Sequence, residues 1–119
     1  MKGVQLSRLC LLIMKPPHTD DDMDRMCGLL NSAKERGWDV VIYLLGDGVY
    51  CAKKGQRGHL GNSMMTALGK GAEINANLKD LLARAIPPEN VMPGVKVLED
   101  LEGAFIEDVM EKASRVVSW

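Results

Sequence analysis

One cysteine in this chain stands where a strand gives way to a glycine turn. Cys51 follows Gly46-Asp47-Gly48-Val49-Tyr50, and the glycines on either side of Asp47 let the backbone change direction sharply. With Asp47 as the cap of a short helix, Cys51 falls in its first turn, where free backbone N–H groups favour a thiolate. Lys53 and Lys54 add positive charge nearby. Both conditions lower a thiol pKa and make the sulfur nucleophilic. The segment runs on through Gly55-Gln56-Arg57-Gly58-His59, glycine-rich and basic, a composition that can bend around an anion and present donors to it. It has neither the Gly-Lys-Ser/Thr of a phosphate loop nor the placement of a dinucleotide fingerprint. The plainer reading makes Cys51 a small buried hydrophobe and the loop a surface connection. Cys10 lies inside an apolar run and Cys27 on an apolar helix face, so both read as inert core residues. His18 with Asp20, Asp21 and Asp22 finds no further ligand at metal-binding spacing, and aspartates in a first helical turn are expected for capping alone. No metal or cofactor is therefore expected. No Ser-His-Asp arrangement and no pair of catalytic carboxylates is legible.

The elements that must position these residues alternate between strand and helix. Leu9 to Met14 is an unbroken apolar run closed by Lys15-Pro16-Pro17, the pattern of a strand covered on both faces. Thr19 then caps a helix whose apolar positions are Met23, Met26, Cys27, Leu30 and Ala33, stopped by Gly37. Asp39 to Leu45 is a second buried strand, so the first βαβ unit closes with its strands parallel. Beyond it, the spacing predicts a helix over 60–68, a strand over 72–76 and a helix over 78–86. A strand over 95–98, a helix over 101–113 and a closing strand over 116–119 complete the chain. Five strands alternating with helices predict a three-layer α/β/α sandwich. Functional residues then belong at the carboxyl ends of the strands: in 15–22, in 46–61 and in the turn near Asn75 to Leu78.

Composition excludes several classes. The 119 residues make one domain, 1–119, of ordinary apolar content at 46%. Fifteen basic against sixteen acidic residues leave a net charge of −1. This chain therefore has no global field for holding RNA or a membrane surface, and direct nucleic acid binding is not expected. The apolar run at 9–14 is too short to span a bilayer, and no signal-peptide pattern opens the chain. Three cysteines without paired spacing point to a reducing compartment, so the cytoplasm is the expected location.

Taken in order, several short motifs resemble the DsrE/DsrF-like sulfur-relay family, with its TusD-type members. They are Leu12-Ile13-Met14-Lys15-Pro16-Pro17, Arg36-Gly37-Trp38-Asp39-Val40, Asp47-Gly48-Val49-Tyr50, Gly94-Val95-Lys96-Val97-Leu98 and Arg115-Val116-Val117-Ser118-Trp119. The resemblance implies a five-stranded parallel sheet in the order 4-3-2-1-5. It also implies assembly as a trimer, hexamer or mixed complex, and the passing of persulfide sulfur between donor and acceptor proteins. In active members the sulfur-carrying cysteine ends the third strand. Here that position falls on Asn77 or a neighbour. Two readings follow. In one, Cys51 takes over as the sulfur carrier, with Lys53, Lys54 or Arg57 stabilising negative charge and His59 moving protons. In the other, the chain is a non-catalytic oligomeric subunit or adaptor whose methionines serve its contacts. A small-molecule binding domain using the strand-end crevice is a third.

Overall fold

The computed structural model describes residues 7–16, 22–55 and 59–119. The backbone alternates as the sequence predicts: β1 (Arg8–Ile13), α1 (Asp22–Glu35), β2 (Asp39–Leu44), α2 (His59–Gly69), β3 (Glu73–Asn77), α3 (Leu78–Ala83), β4 (Lys96–Leu98), α4 (Leu101–Glu111) and β5 (Arg115–Ser118). A 3-10 segment, Gly46–Ala52, follows β2, and a single 3-10 turn, Pro88–Asn90, precedes β4. Thr19, His18, Asp20 and Asp21, the expected cap and its neighbours, lie outside the described residues.

Three helices end by one device. After α1 the Trp38 N–H reaches back to the Ala33 carbonyl at 3.0 Å and Gly37 N–H to Lys34 at 3.1 Å, with Gly37 at φ 79°. After α2 the Ala72 and Gly71 N–H groups do the same to Ala67 and Leu68. After α3 the Ile86 and Ala85 N–H groups return to Leu81 and Leu82, at 2.9 and 3.1 Å. The left-handed position there is an alanine, Ala85 at φ 57°. Alanine carries no stop signal, which is why the sequence pattern ran this helix on to residue 86. Burial of Ile86 at 3% exposure opposes the strain of that turn.

All four strand pairings are parallel, in the order β4-β3-β2-β1-β5. This is the order that the family resemblance implies. Leu9, Leu11 and Ile13 of β1 with Val40, Ile42 and Leu44 of β2 point to one face. There they join Met26, Cys27 and Leu30 of α1 and Met64 and Ala67 of α2 in the larger core. The alternate residues Cys10, Val41 and Tyr43 pack on the other face with Leu101 of α4. Both faces of the central strands are thus covered, which accounts for their unbroken apolar runs.

A polar clamp holds α4 on that second face. Asp108 is only 5% exposed and takes two hydrogen bonds from Arg8, Nε at 2.8 Å and Nη2 at 2.7 Å. The Tyr43 hydroxyl donates to the same carboxylate at 2.5 Å, while Arg8 also pairs with Asp39 at the start of β2. Burial pushes the Asp108 carboxyl up, but the hydrogen bonds from Arg8 and Tyr43 outweigh it and hold it at about 2. At its other end α4 is capped by Asp100, which accepts the Gly103 N–H at 3.1 Å. Asp100→Ala should therefore cost about 1 kcal/mol, read as a shift in the urea midpoint at unchanged slope. No measurable shift would mean that the cap does not stabilise the helix. Among the described residues, no helix is long and apolar enough to cross a membrane.

Candidate functional site at the carboxyl ends of the strands

The strand ends meet where the 3-10 segment Gly46–Ala52 folds back against β1. Leu45 N–H bonds the Ile13 carbonyl at 3.0 Å, and Gly48 N–H bonds Leu45 at 3.0 Å. Gly48 is buried against the backbone of Ile13 and Met14: a Cβ on it would stand 2.7 Å from the Ile13 carbonyl carbon. Only glycine lets the segment lie this close to the sheet. Val49, Cys51 and Ala52 are thereby carried inward into the larger core.

Cys51 therefore sits differently from the sequence expectation. It is the next-to-last residue of the 3-10 segment, so the free N–H groups of a first turn are not beside it. Asp47 is not the cap either, for Leu45 holds that position without a side-chain bond. The Cys51 side chain is fully buried, and its Sγ lies 3.7 Å from the Lys15 carbonyl oxygen. Burial pushes its thiol up to about 12, with a smaller push from Cys27. An upward shift is the opposite of what an activated thiol needs. The lysines do not offset it. Lys53 forms an isolated antiparallel bridge with Val91, Lys54 N–H bonds the Asn90 carbonyl, and Lys54 Nζ donates to the Glu89 carbonyl at 3.1 Å. That pairing draws the loop toward residues 89–91, and both lysine side chains stay exposed. Arg57 lies outside the described residues. His59 opens α2, with nothing described of its side chain.

Asn77 is where the resemblance places it, the last residue of β3 and the position before α3. Its side chain is buried and donates to Asp80 Oδ2 at 2.8 Å. The same oxygen accepts the Gly46 N–H at 2.8 Å, and Arg84 bridges Asp80 to Asp47, with Nε 3.0 Å from Asp47 Oδ1. Partial burial raises the Asp80 carboxyl, yet the bonds from Asn77 and Gly46 and the Arg84 charge hold it below the ordinary range. One carboxylate thus ties the end of β3, the start of α3 and the turn after β2 together. Asp80 and Arg84 were missed in the sequence. The Asn-x-x-Asp spacing of 77 and 80, a helix-start pattern, was the available signal for the first. For Arg84 the signal was the i,i+4 spacing from Asp80, while its other partner, Asp47, is distant in sequence.

Cys10 and Cys27 are buried as expected. Burial also pushes the Cys10 thiol up to about 12, as does a hydrogen bond to Asp108. All three cysteines are thus buried, Cys10 and Cys51 fully and Cys27 nearly so.

Comparison with known proteins agrees with this architecture. The model of the DsrE/DsrF-like family matches residues 7–85, well over half of the chain. No curated protein matches. Among solved structures, the ychN protein from E. coli superposes with a TM-score of 0.80 at 13% identity, covering 96% of this chain and 100% of that one. MTH1491 from Methanobacterium thermoautotrophicum, a protein of unknown function, gives 0.74 at 15% identity, over 95% and 99% of the two chains. BT1422 from Bacteroides thetaiotaomicron, also of unknown function, gives 0.72 at 16%, over 93% and 94%. At such identities the likeness is one of fold.

Proposed function

We propose that this chain, which belongs to the DsrE/DsrF-like family associated with sulfur relay, acts there as a non-carrier subunit or adaptor. The observation that carries this reading is the burial of every thiol. A persulfide carrier must present a thiolate to a donor persulfide and then to an acceptor. Cys10 and Cys51 are fully buried and Cys27 is 7% exposed. The end of β3 holds Asn77, whose amide is engaged by Asp80 rather than offered to a partner. Asparagine there keeps the crevice shape by hydrogen bonding but cannot accept sulfur. Exposed Met65, Ile106 and Met110 give such a subunit adaptable apolar contacts, as assembly into a homo-oligomer or mixed complex would require.

The native protein should react with a thiol reagent at neutral pH far more slowly than the same protein in denaturant, with all three cysteines labelling together on unfolding. After incubation with a persulfide donor, intact mass should show no added sulfur. A sulfur adduct mapped to Cys51 in the folded protein would overturn the reading and restore that residue as the carrier. A mass shift on Cys10 or Cys27 alone would do the same through another thiol.

A further inference from the structure

We infer that the groove between α1 and the open edge of β5 docks an acidic, extended segment of a partner protein, which adds as a strand beside β5. The inference does not depend on whether any thiol carries sulfur.

The edge is the first observation. Among the described residues β5 lies last in the sheet and pairs only with β1, so its far side leaves main-chain donors and acceptors without a strand partner there. Arg115, Val116 and Ser118 are exposed along it. Strand addition to such an edge draws affinity from the main chain and specificity from hollows that receive alternate side chains.

Hollows of that kind are present. One, about 190 Å³, is walled by Arg36, Ser32 and Trp38 together with Arg115. The next, about 250 Å³, is walled by Arg25, Met26 and Leu29 with Val117 and Trp119. Arg115 and Val117 are consecutive same-face positions of β5, about 7 Å apart along a strand. Side chains two residues apart on an added strand would meet the two hollows in turn.

Charge selects the occupant. The chain as a whole is near neutral at −1, yet among the described residues the two hollows carry Arg25, Arg36 and Arg115 and no carboxylate in their walls. Among the described residues, the ion pairs engage other cations, namely Arg8, Arg84 and Lys96. Guanidinium groups in a half-apolar groove favour carboxylates, which they can hold in two-point contact. The hollow at Arg36 and Arg115 suits an acidic side chain. The hollow floored by Met26, Leu29 and Val117 suits an apolar one two residues away.

The probe is a fluorescein-labelled peptide of about eight residues, a length typical of a strand. Glutamate and valine take turns at every second position with threonine between them, so that one face presents an acidic and an apolar side chain two residues apart. The peptide is titrated against the full chain and read by polarisation. Saturable binding is expected. The double substitution Arg36→Glu, Arg115→Glu should weaken it by at least about tenfold, with an unchanged far-ultraviolet spectrum showing that the fold survives. The same loss should follow when lysine replaces glutamate in the peptide. It should follow as well when alternate peptide nitrogens are methylated in the register that faces β5. No saturable binding overturns the inference, as does equal binding of both methylated registers, which would mean charge attraction without strand pairing. Tighter binding of an oligothymidylate of equal length would make the groove a nucleic acid surface instead. Peptide binding that emerges only on dilution of the protein would assign the edge to a second copy of this chain.

Discussion

Asp108→Ala should lower stability by about 3 kcal/mol, the lower end of the cost of breaking a buried ion pair, because Arg8 keeps a second carboxylate in Asp39. The substitution takes two of the hydrogen bonds of Arg8, which is 19% exposed and, among the described residues, keeps only Asp39 as a carboxylate partner. It also removes the acceptor of the Tyr43 hydroxyl in the middle of the smaller core. And it frees α4, since Asp108 is the polar tie between that helix and β1 and β2. For a domain of this size the loss is a large share of the total stability. Asp108→Asn separates charge from shape, because the amide oxygen still accepts from Tyr43. The sign with pH follows from the carboxyl's depressed value, from an ordinary 3.8 to about 2 in the folded protein. A depressed carboxylate contributes stability that is fully present above the unfolded value and lost as the pH falls through the folded one. The difference corresponds to about 2 kcal/mol at neutral pH. The gap in unfolding free energy between the native protein and Asp108→Asn should therefore be constant above pH 5 or so and shrink toward pH 2. Urea titrations followed by tryptophan fluorescence across that range measure it. A gap that does not change with pH would show that the Asp108 charge is not what holds α4.

Gly48→Ala should be comparably damaging, for a different reason. The added methyl would meet the Ile13 carbonyl and stand 3.2 Å from the Met14 nitrogen. These are main-chain atoms fixed by the Leu45–Ile13 and Met14–Trp119 hydrogen bonds, so they cannot turn aside as a flexible side chain would. The 3-10 segment must instead lift from the sheet end and take Val49, Cys51 and Ala52 with it. The loss should be about 3 kcal/mol or more, at the upper end for overpacking. It should also raise the rate of Cys51 labelling, because the seal over that sulfur loosens. Gly28→Ala is the control. It lies exposed in the middle of α1, and nothing stands within 4 Å of the added methyl. There alanine should stabilise by about 0.5–1 kcal/mol. If both alanines proved neutral in thermal unfolding, the close approach at Gly48 would not constrain the fold.

The two variants also separate what was legible in the sequence from what was not. Strand and helix identities were legible because buried parallel strands must be apolar on both faces and helices must repeat near every fourth residue. Runs such as Val40 to Leu44 satisfy the first condition and Met26, Leu30 and Ala33 the second. The sheet order 4-3-2-1-5 came from family resemblance, since periodicity carries no information about which strands are neighbours. α3 was drawn too long because its end depends on Ala85 adopting a left-handed turn, a choice made by the burial of Ile86 and not by a stop residue.

The candidate site was legible in position but not in state. The sequence by itself determined that Cys51, Asp47 and Asn77 would gather at the carboxyl ends of parallel strands, because chain connectivity and right-handed crossover put those loops on one edge. Only the tertiary structure decided that Cys51 turns inward and that Asn77 is claimed by Asp80. Those outcomes depend on how closely Gly48 approaches β1 and on side chains far apart in the chain, such as Asp47 and Arg84, meeting. A thiol's reactivity follows from the solvent and charge around it, and those are properties of the packed molecule rather than of neighbouring letters.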